Sequence, residues 1–281
     1  MVTPAPNTPW RKLKLSYPSV FRNLAVEEAL ARTLSTGTQN KPTLRLWTNP
    51  RTVVVGRFQE APAEADLRQC ELNHVSVARR FTGGGTVFQD EATLNLTLVE
   101  KPQEGLASLK FQETNLQLVN EALRDLGLQC SASQNSILTD GRKVCGAAAA
   151  VGLHFALWHC SILVNTDTRL LETTLAPSKL PTKDRFVHSR WQEVTTLAAA
   201  LSKPISLDEV VGSLERTIQA EMIAELETGQ LSIEEEKCLE ALYSSKYSSH
   251  EWNMHGNRPD YAAEPVEGLI RQLPCASAQR P

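Results

Sequence analysis

Two short stretches carry residues whose types and spacing can do chemistry. In the first, Arg79-Arg80-Phe81-Thr82-Gly83-Gly84-Gly85-Thr86-Val87-Phe88-Gln89-Asp90, two arginines precede three consecutive glycines. Glycine has no side chain to pack and loses the most entropy on ordering, so a triplet marks a turn or a close approach of backbone to a ligand. Guanidinium charge beside backbone N–H groups suits a phosphate or carboxylate. Read alone, the segment is equally a glycine hairpin with two solvated arginines. Its contiguous glycines match neither the phosphate loop ending in Gly-Lys-Ser/Thr nor the spaced-glycine dinucleotide fingerprint. In the second stretch, Asp140-Gly141-Arg142-Lys143-Val144-Cys145-Gly146-Ala147-Ala148-Ala149-Ala150, a lysine follows a tight turn and precedes a run of small residues. A lysine over a floor of Gly and Ala can hold a phosphate or polarise an acyl carbonyl. The alternative is a solvated turn charge above alanines that pack under a helix.

Thiols and an imidazole lie close in sequence to these stretches. Cys130, Cys145 and Cys160 are candidates for a thiolate nucleophile activated near Lys143 or His159, or else are small buried hydrophobes. His159 has the same two readings, contact residue or satisfied core histidine.

Several elements must position these groups. Asn23–Leu30 carries good helix formers, with Asn23 as the candidate N-cap. Leu44 and Leu46 alternate toward Trp47, and Thr52–Val55 is a β-branched run ending at Gly56-Arg57, so two strands follow the helix. Glu64–Leu72 reads as a short helix, Val75–Arg79 as a strand, and the chain from the glycine stretch through Leu98 as a further strand. Phe111–Gly127 sets Leu116, Val119, Leu123 and Leu126 at helical spacing, with Gly127 as the C-terminal cap. Leu128–Asn165 is largely extended, with a hairpin turn at Asp140-Gly141. Leu207–Leu226 and Ile233–Tyr247 are helical, and the chain after Pro259 lacks a clear pattern. The sum is α+β: a mixed sheet with packed helices and a helical C-terminal part.

Composition narrows the partners. With 29 basic and 32 acidic residues among 281, the formal charge is −3, which indicates no general affinity for nucleic acid or an anionic membrane. The six cysteines include no Cys-x-x-Cys pair and read as reduced thiols. No apolar run reaches the ~18 residues that would span a bilayer. The segment Met1–Leu15 shows neither a signal-peptide core nor a transit-peptide pattern. A cytoplasmic protein is expected.

Five motifs in order resemble the lipoate–protein ligase and lipoyltransferase family, relatives of the biotin–protein ligases. They are Asn23-Leu24-Ala25-Val26-Glu27-Glu28-Ala29-Leu30, the Leu46–Arg57 segment, the Arg79–Asp90 stretch, Gly141–Ala148, and His159-Cys160-Ser161-Ile162-Leu163-Val164. The resemblance is strongest over 23–165 and reaches Glu251-Trp252-Asn253. It implies a biotin/lipoyl protein ligase-like catalytic domain over residues 15–258 and a poorly structured tail over 259–281. The activity implied is transfer of a lipoyl group, through lipoyl-adenylate, to the acceptor lysine of lipoyl carrier domains. These carriers are the acyltransferase subunits of 2-oxoacid dehydrogenases and the glycine cleavage H protein. ATP with Mg, or preformed lipoyl-adenylate, is the implied cofactor, and lipoate or octanoate the donor. Carried over residue by residue, Arg79, Arg80, Thr82, Gly83, Gly84, Gly85, Thr86, Val87, Phe88, Asn135, Gly146, Ala147 and His159 are substrate- or nucleotide-binding positions. Lys143 is the residue on the acyl carbonyl and phosphate, and no metal ligands are implied.

The same fold houses cysteine-dependent octanoyltransferases and amidotransferases, for which Cys130 is the alternative nucleophile; a non-catalytic adenylate- or carrier-binding module is a third reading. Four places depart from the family pattern: Gln89 where His often precedes Asp, Asn135-Ser136 for Asn-Asp, Trp158-His159-Cys160 for His-His-Gly, and Ala150 or Val151 after the small run where ligases often carry a basic residue. The 24 residues after Asn257 are too few for an accessory domain. Either an accessory domain is a separate subunit or the chain only transfers an activated acyl group, and better use of preformed adenylate than of lipoate plus ATP is expected.

Overall fold

The computed structural model describes residues 9–102, 107–175, 187–222 and 225–256; the tail expected over 259–281 lies outside the described residues. The chain runs β1 (Trp10–Lys14), α1 (Val20–Thr36), β2 (Thr43–Trp47), β3 (Thr52–Val55), α2 (Ala61–Glu64), α3 (Leu67–Leu72), β4 (Ser76–Arg79), β5 (Val87–Gln89), β6 (Thr93–Glu100) and α4 (Ser108–Asp125). It continues through β7 (Ser131–Ser133), β8 (Ser136–Thr139), β9 (Arg142–Val151), β10 (Ala156–Leu163), α5 (Thr168–Thr174), α6 (Leu197–Leu201), α7 (Leu207–Met222), β11 (Leu226–Thr228), α8 (Ile233–Leu242) and α9 (His250–His255). An eight-stranded mixed sheet is ordered β11-β1-β2-β6-β10-β9-β8-β7, and a three-stranded sheet β4-β3-β5.

Strand alternation divides the large sheet into two faces. Leu94, Leu96 and Leu98 of β6, with Trp158 and Ile162 of β10, pack beneath α4 and α7. The intervening residues Asn95, Thr97, His159 and Ser161 face the other way and are buried, although polar. On that side Leu24, Ala25 and Val26 of α1 pack with Leu239 and Leu242 of α8. Polar residues facing inward between two helical layers mark a built interior, because a buried polar group without a partner costs about 1–3 kcal/mol.

Several sequence expectations need correction. The first helix begins at Val20 with Ser19 as its N-cap, four residues before the expected cap Asn23. Asn23 is instead fully buried inside α1: its Oδ1 accepts from Tyr17 N at 2.7 Å and its Nδ2 donates to Tyr17 O at 2.8 Å. The helix expected over Glu64–Leu72 is two, broken where Asp66 caps α3 by accepting from Gln69 N. Leu226 leaves its helix for β11, and α8 ends in a π-helical turn over Tyr243–Tyr247. Strand β1, unheralded in sequence, pairs parallel with β2 and β11 ahead of residue 15. The Asp140-Gly141 turn is as expected, with φ of 48° and 75°.

Arg79 is a clamp between distant parts of the chain. Its guanidinium donates to Trp252 O, Asn253 O and Met254 O of α9 and to Gly56 O, Arg57 O and Gln59 O after β3. All five N–H donors are engaged on backbone, which leaves none for a ligand. Burial draws its pKa down to about 10, still charged at neutral pH. Arg79→Met should lower stability by roughly 3 kcal/mol, since several charged hydrogen bonds vanish at once and their carbonyls stay buried. For a domain of this size that is a fall in Tm of about 6–12 °C, read by thermal denaturation.

Candidate functional site

Two cavities, of about 540 Å³ and about 480 Å³, meet on the polar face of the sheet. Thr86, Val87, Lys143, Gly146 and Ser161 border both. The register of the strands sets the floor. Trp47, Asn95, Ser161, Gly146 and Ser136 form one row across β2, β6, β10, β9 and β8, and Arg45, Thr97, His159 and Ala148 form the next.

Lys143 stands at the junction because Gly146 leaves room for it. A Cβ on Gly146 would lie 2.7 Å from Lys143 Cε and 2.8 Å from its Nζ, so the ammonium rests on the bare glycine. Its backbone is tied on the far side: Lys143 N donates to Glu193 O at 2.8 Å, and Thr195 N donates to Lys143 O at 2.9 Å. Burial is the main reason the lysine pKa is lowered, and the Arg80 guanidinium acts in the same direction. An ammonium so placed is partly desolvated and suited to an anionic partner.

The glycine loop is braced from within. Arg80 Nε donates to Thr82 Oγ1 at 3.0 Å, Nη1 to Val54 O at 3.2 Å, and Nη2 to Gly83 O and Gly85 O at 2.7 and 2.8 Å. Burial draws its pKa down to about 10. Gly84 has φ of +91°, and its carbonyl oxygen approaches Gly56 so closely that a Cβ there would lie 2.1 Å away. Gln59, fully buried, joins loop to rim. Its Oε1 accepts from Gly56 N and Thr86 Oγ1, and its Nε2 donates to Ser189 Oγ. Ser189 Oγ accepts in turn from Thr86 N at 2.8 Å, and Ser189 N donates to the Glu64 carboxylate.

Deeper in the larger cavity, Glu27 and His159 form a buried pair, with Nδ1 2.9 and 3.0 Å from the two carboxylate oxygens. His159 Nε2 lies 2.9 Å from Thr82 Oγ1, and Thr97 Oγ1 donates to Glu27 Oε1 at 2.5 Å. Burial alone would raise the Glu27 pKa; the imidazole, the Thr97 hydroxyl and Arg45 outweigh it and hold the carboxyl below its ordinary value.

Of the positions expected from sequence, Arg80, Gly85, Thr86, Val87, Asn135, Lys143, Gly146, Ala147 and His159 line the larger cavity, and Phe88 borders the smaller. Thr82, Gly83 and Gly84 shape the loop without lining either, and Arg79 is the clamp described above. Cys130 lies outside both linings: it packs against the core and donates to Asn120 O at 3.8 Å, and burial pushes its thiol pKa up. Cys145 and Cys160 are almost fully buried against the core beneath α4, Cys160 bordering the larger cavity and Cys145 the smaller, and burial raises the Cys160 thiol well above its ordinary value. Cys130→Ser should therefore keep acyl transfer within about twofold of wild type, because a raised thiol pKa leaves little thiolate to attack; a tenfold loss in an initial-rate assay would restore the cysteine reading. Glu27, Gln59, Asn95 and Ser189 were missed in sequence. Asn95 and Thr97 alternating with three leucines were the one available signal of a polar interior face.

Comparison with known proteins identifies the family. The lipoyl protein ligase A/B catalytic domain family matches residues 19–219. Lipoate-protein ligase A subunit 1 of Thermoplasma acidophilum is 31% identical over 256 residues, covering 87% of this chain and 96% of the relative. An octanoyltransferase LipM of Brevibacillus brevis is 27% identical over 273 residues, covering 87% and 98%. Among solved structures, one from a structural analysis of a bipartite lipoate protein ligase and its E2 lipoyl domain from T. acidophilum superposes with a TM-score of 0.79 at 30% identity, covering 89% of this chain and 98% of that one. Two others are a putative ligase of the same organism with bound lipoic acid (TM-score 0.76, 30% identity, 88% and 99% covered) and a lipoate-protein ligase A bound with ATP (0.77, 30%, 89% and 100%). A family match over more than half of the chain, and a relative covered almost end to end, establish that this chain belongs to the lipoate–protein ligase family of enzymes.

Proposed function

We propose that the protein transfers a lipoyl group from lipoyl-adenylate to the acceptor lysine of a lipoyl carrier domain, with the reaction centred on Lys143. The observation that carries this reading is the ammonium resting on Gly146 where two cavities meet. A mixed anhydride has an acyl arm, a nucleotide arm and a reactive carbonyl–phosphate centre between them. The joined cavities take the two arms, and Lys143 at their junction holds the phosphate and polarises the carbonyl. The carrier amine attacks the carbonyl carbon, the C–O bond to phosphate breaks, AMP leaves with the electron pair, and the amine proton goes to solvent. Positioning supplies most of the acceleration, since the anhydride is already activated.

Arg80, Thr82, Gly83, Gly84, Gly85 and Thr86 form the loop on the nucleotide, Val87, Phe88, Asn135, Gly146 and Ala147 complete the walls, and His159 closes the acyl end. The catalytic unit spans the described chain from β1 to α9. A separate accessory subunit is proposed by likeness to the bipartite ligase. The likeness to octanoyltransferases keeps an octanoyl-carrier donor as the second reading. Incubating a carrier domain with lipoate plus ATP, with lipoyl-adenylate, or with an octanoyl-carrier donor tests both readings by carrier mass. Transfer from lipoyl-adenylate is expected to be the fastest; a trapped cysteine thioester with the octanoyl donor would overturn the adenylate reading.

A further inference from the structure

A chain of four buried side-chain amides runs from the N-terminal segment to the larger cavity, and its direction is fixed by backbone. Tyr17 N is an unambiguous donor to Asn23 Oδ1, so the other Asn23 atom is the nitrogen. Asn23 Nδ2 donates to Asn49 Oδ1 at 2.8 Å, Asn49 Nδ2 to Gln89 Oε1 at 2.6 Å, and Gln89 Nε2 to Asn95 Oδ1 at 2.7 Å. Each step assigns the next amide. Ser161 Oγ also donates to Asn95 Oδ1 at 2.7 Å. The Asn95 oxygen is thus held by two donors, and its nitrogen is left over.

That nitrogen is buried with no hydrogen-bond partner among the described residues, while Asn95 is 1% exposed and lines the larger cavity. A buried amide N–H2 without an acceptor is costly, and four residues acting together enforce it. Asn95 stands two strands from Gly146 in the register row, roughly 9–10 Å at the backbone. Its donor therefore meets a bound acyl group several bonds beyond the carbonyl at Lys143.

Resting on the acyl-transfer reading above, we infer that Asn95 is a specificity-determining residue whose Nδ2 donates a hydrogen bond to a heteroatom partway along the acyl chain, selecting chains with an acceptor there, such as the dithiolane sulfur of lipoate, over an all-methylene octanoyl chain. A site built to hydrogen-bond rejects an analogue lacking the partner, because its own polar group is then left unpaired. Sulfur is a weak acceptor, so a ketone oxygen at the same place is the sharper probe.

The test compares initial rates of carrier acylation from lipoyl-adenylate, octanoyl-adenylate and 6-oxooctanoyl-adenylate, with wild type and Asn95→Leu. Wild type should favour the 6-oxo chain over octanoyl by at least about fivefold in kcat/KM, with lipoyl in between. In Asn95→Leu the preference should fall to about one, through faster use of octanoyl relative to the other two. All three donors are read on one preparation, so any loss of folded protein cancels from the ratios. Transfer by wild type without discrimination overturns this inference alone, as does a preference that survives in Asn95→Leu. Failure of wild type to transfer any chain overturns the acyl-transfer reading and this inference with it.

Discussion

Lys143→Ala lowers acyl transfer by about 10²- to 10³-fold, or about 2.7–4 kcal/mol of transition-state stabilisation, while the protein stays folded. The magnitude is that of removing one preorganised donor from a developing oxyanion. The fold should survive because the side chain lies in a cavity on Gly146 rather than in the core. Lys143→Arg should lose nearly as much, since a planar fork cannot occupy the space of a compact ammonium held against a glycine. Gly146→Ala is the more discriminating variant: it keeps the lysine and its charge, yet its Cβ would lie 2.7 Å from Lys143 Cε and must push the ammonium off its place. Alanine at 146 is compatible with the strand, so the Tm should hold while kcat falls. Near-wild-type turnover in all three variants would remove Lys143 from the mechanism.

The second large effect is expected at the glycine loop. Gly84→Val introduces a β-branched side chain at φ of +91°, with its Cβ 3.0 Å from Arg80 Nη2 and 3.5 Å from the Ala148 Cβ. Backbone strain of roughly 1–3 kcal/mol falls on a loop whose shape Arg80 sets through two of its carbonyls. Gly56→Ala attacks the same contact from the other side, since its Cβ would lie 2.1 Å from Gly84 O, a backbone atom that only a loop shift can move. Either variant should weaken binding of a non-hydrolysable lipoyl-adenylate analogue at least tenfold by calorimetry, about 1.4 kcal/mol and so within that strain range. Unchanged affinity would reduce the loop to a turn.

Much of this arrangement was legible in the residues, and the reasons are physical. The triple glycine and Lys143 before small residues are local signals, since each names a backbone or steric demand that few other contexts make. The Asp140-Gly141 turn was legible for the same reason. What escaped depends on long-range register. Asn23 resembles a helix cap because Asn favours that position, yet tertiary packing put it inside α1 to bond Tyr17 and Asn49. Arg79 and Arg80 are neighbours of one type in sequence, but alternation of the strand sends one to α9 and the other into the loop. Strand β1 escaped because Arg11, buried and paired with Glu235 and Thr43, breaks the apolar pattern. The Asn95 donor is invisible until Gln89, 6 residues away, and Ser161, 66 residues away, are known to share its oxygen.

The central claim is that the cavity around Lys143 hands an acyl group from an adenylate to a carrier lysine. Its most direct measurement is the intact mass of a lipoyl carrier domain after incubation with lipoyl-adenylate and wild-type protein, beside Lys143→Ala and a protein-free control that sets the rate of uncatalysed aminolysis. The account predicts one lipoyl addition on the acceptor lysine, formed at least about a hundredfold faster with wild type than with Lys143→Ala. A wild-type rate equal to the protein-free control, or an equal rate for both proteins, would contradict it.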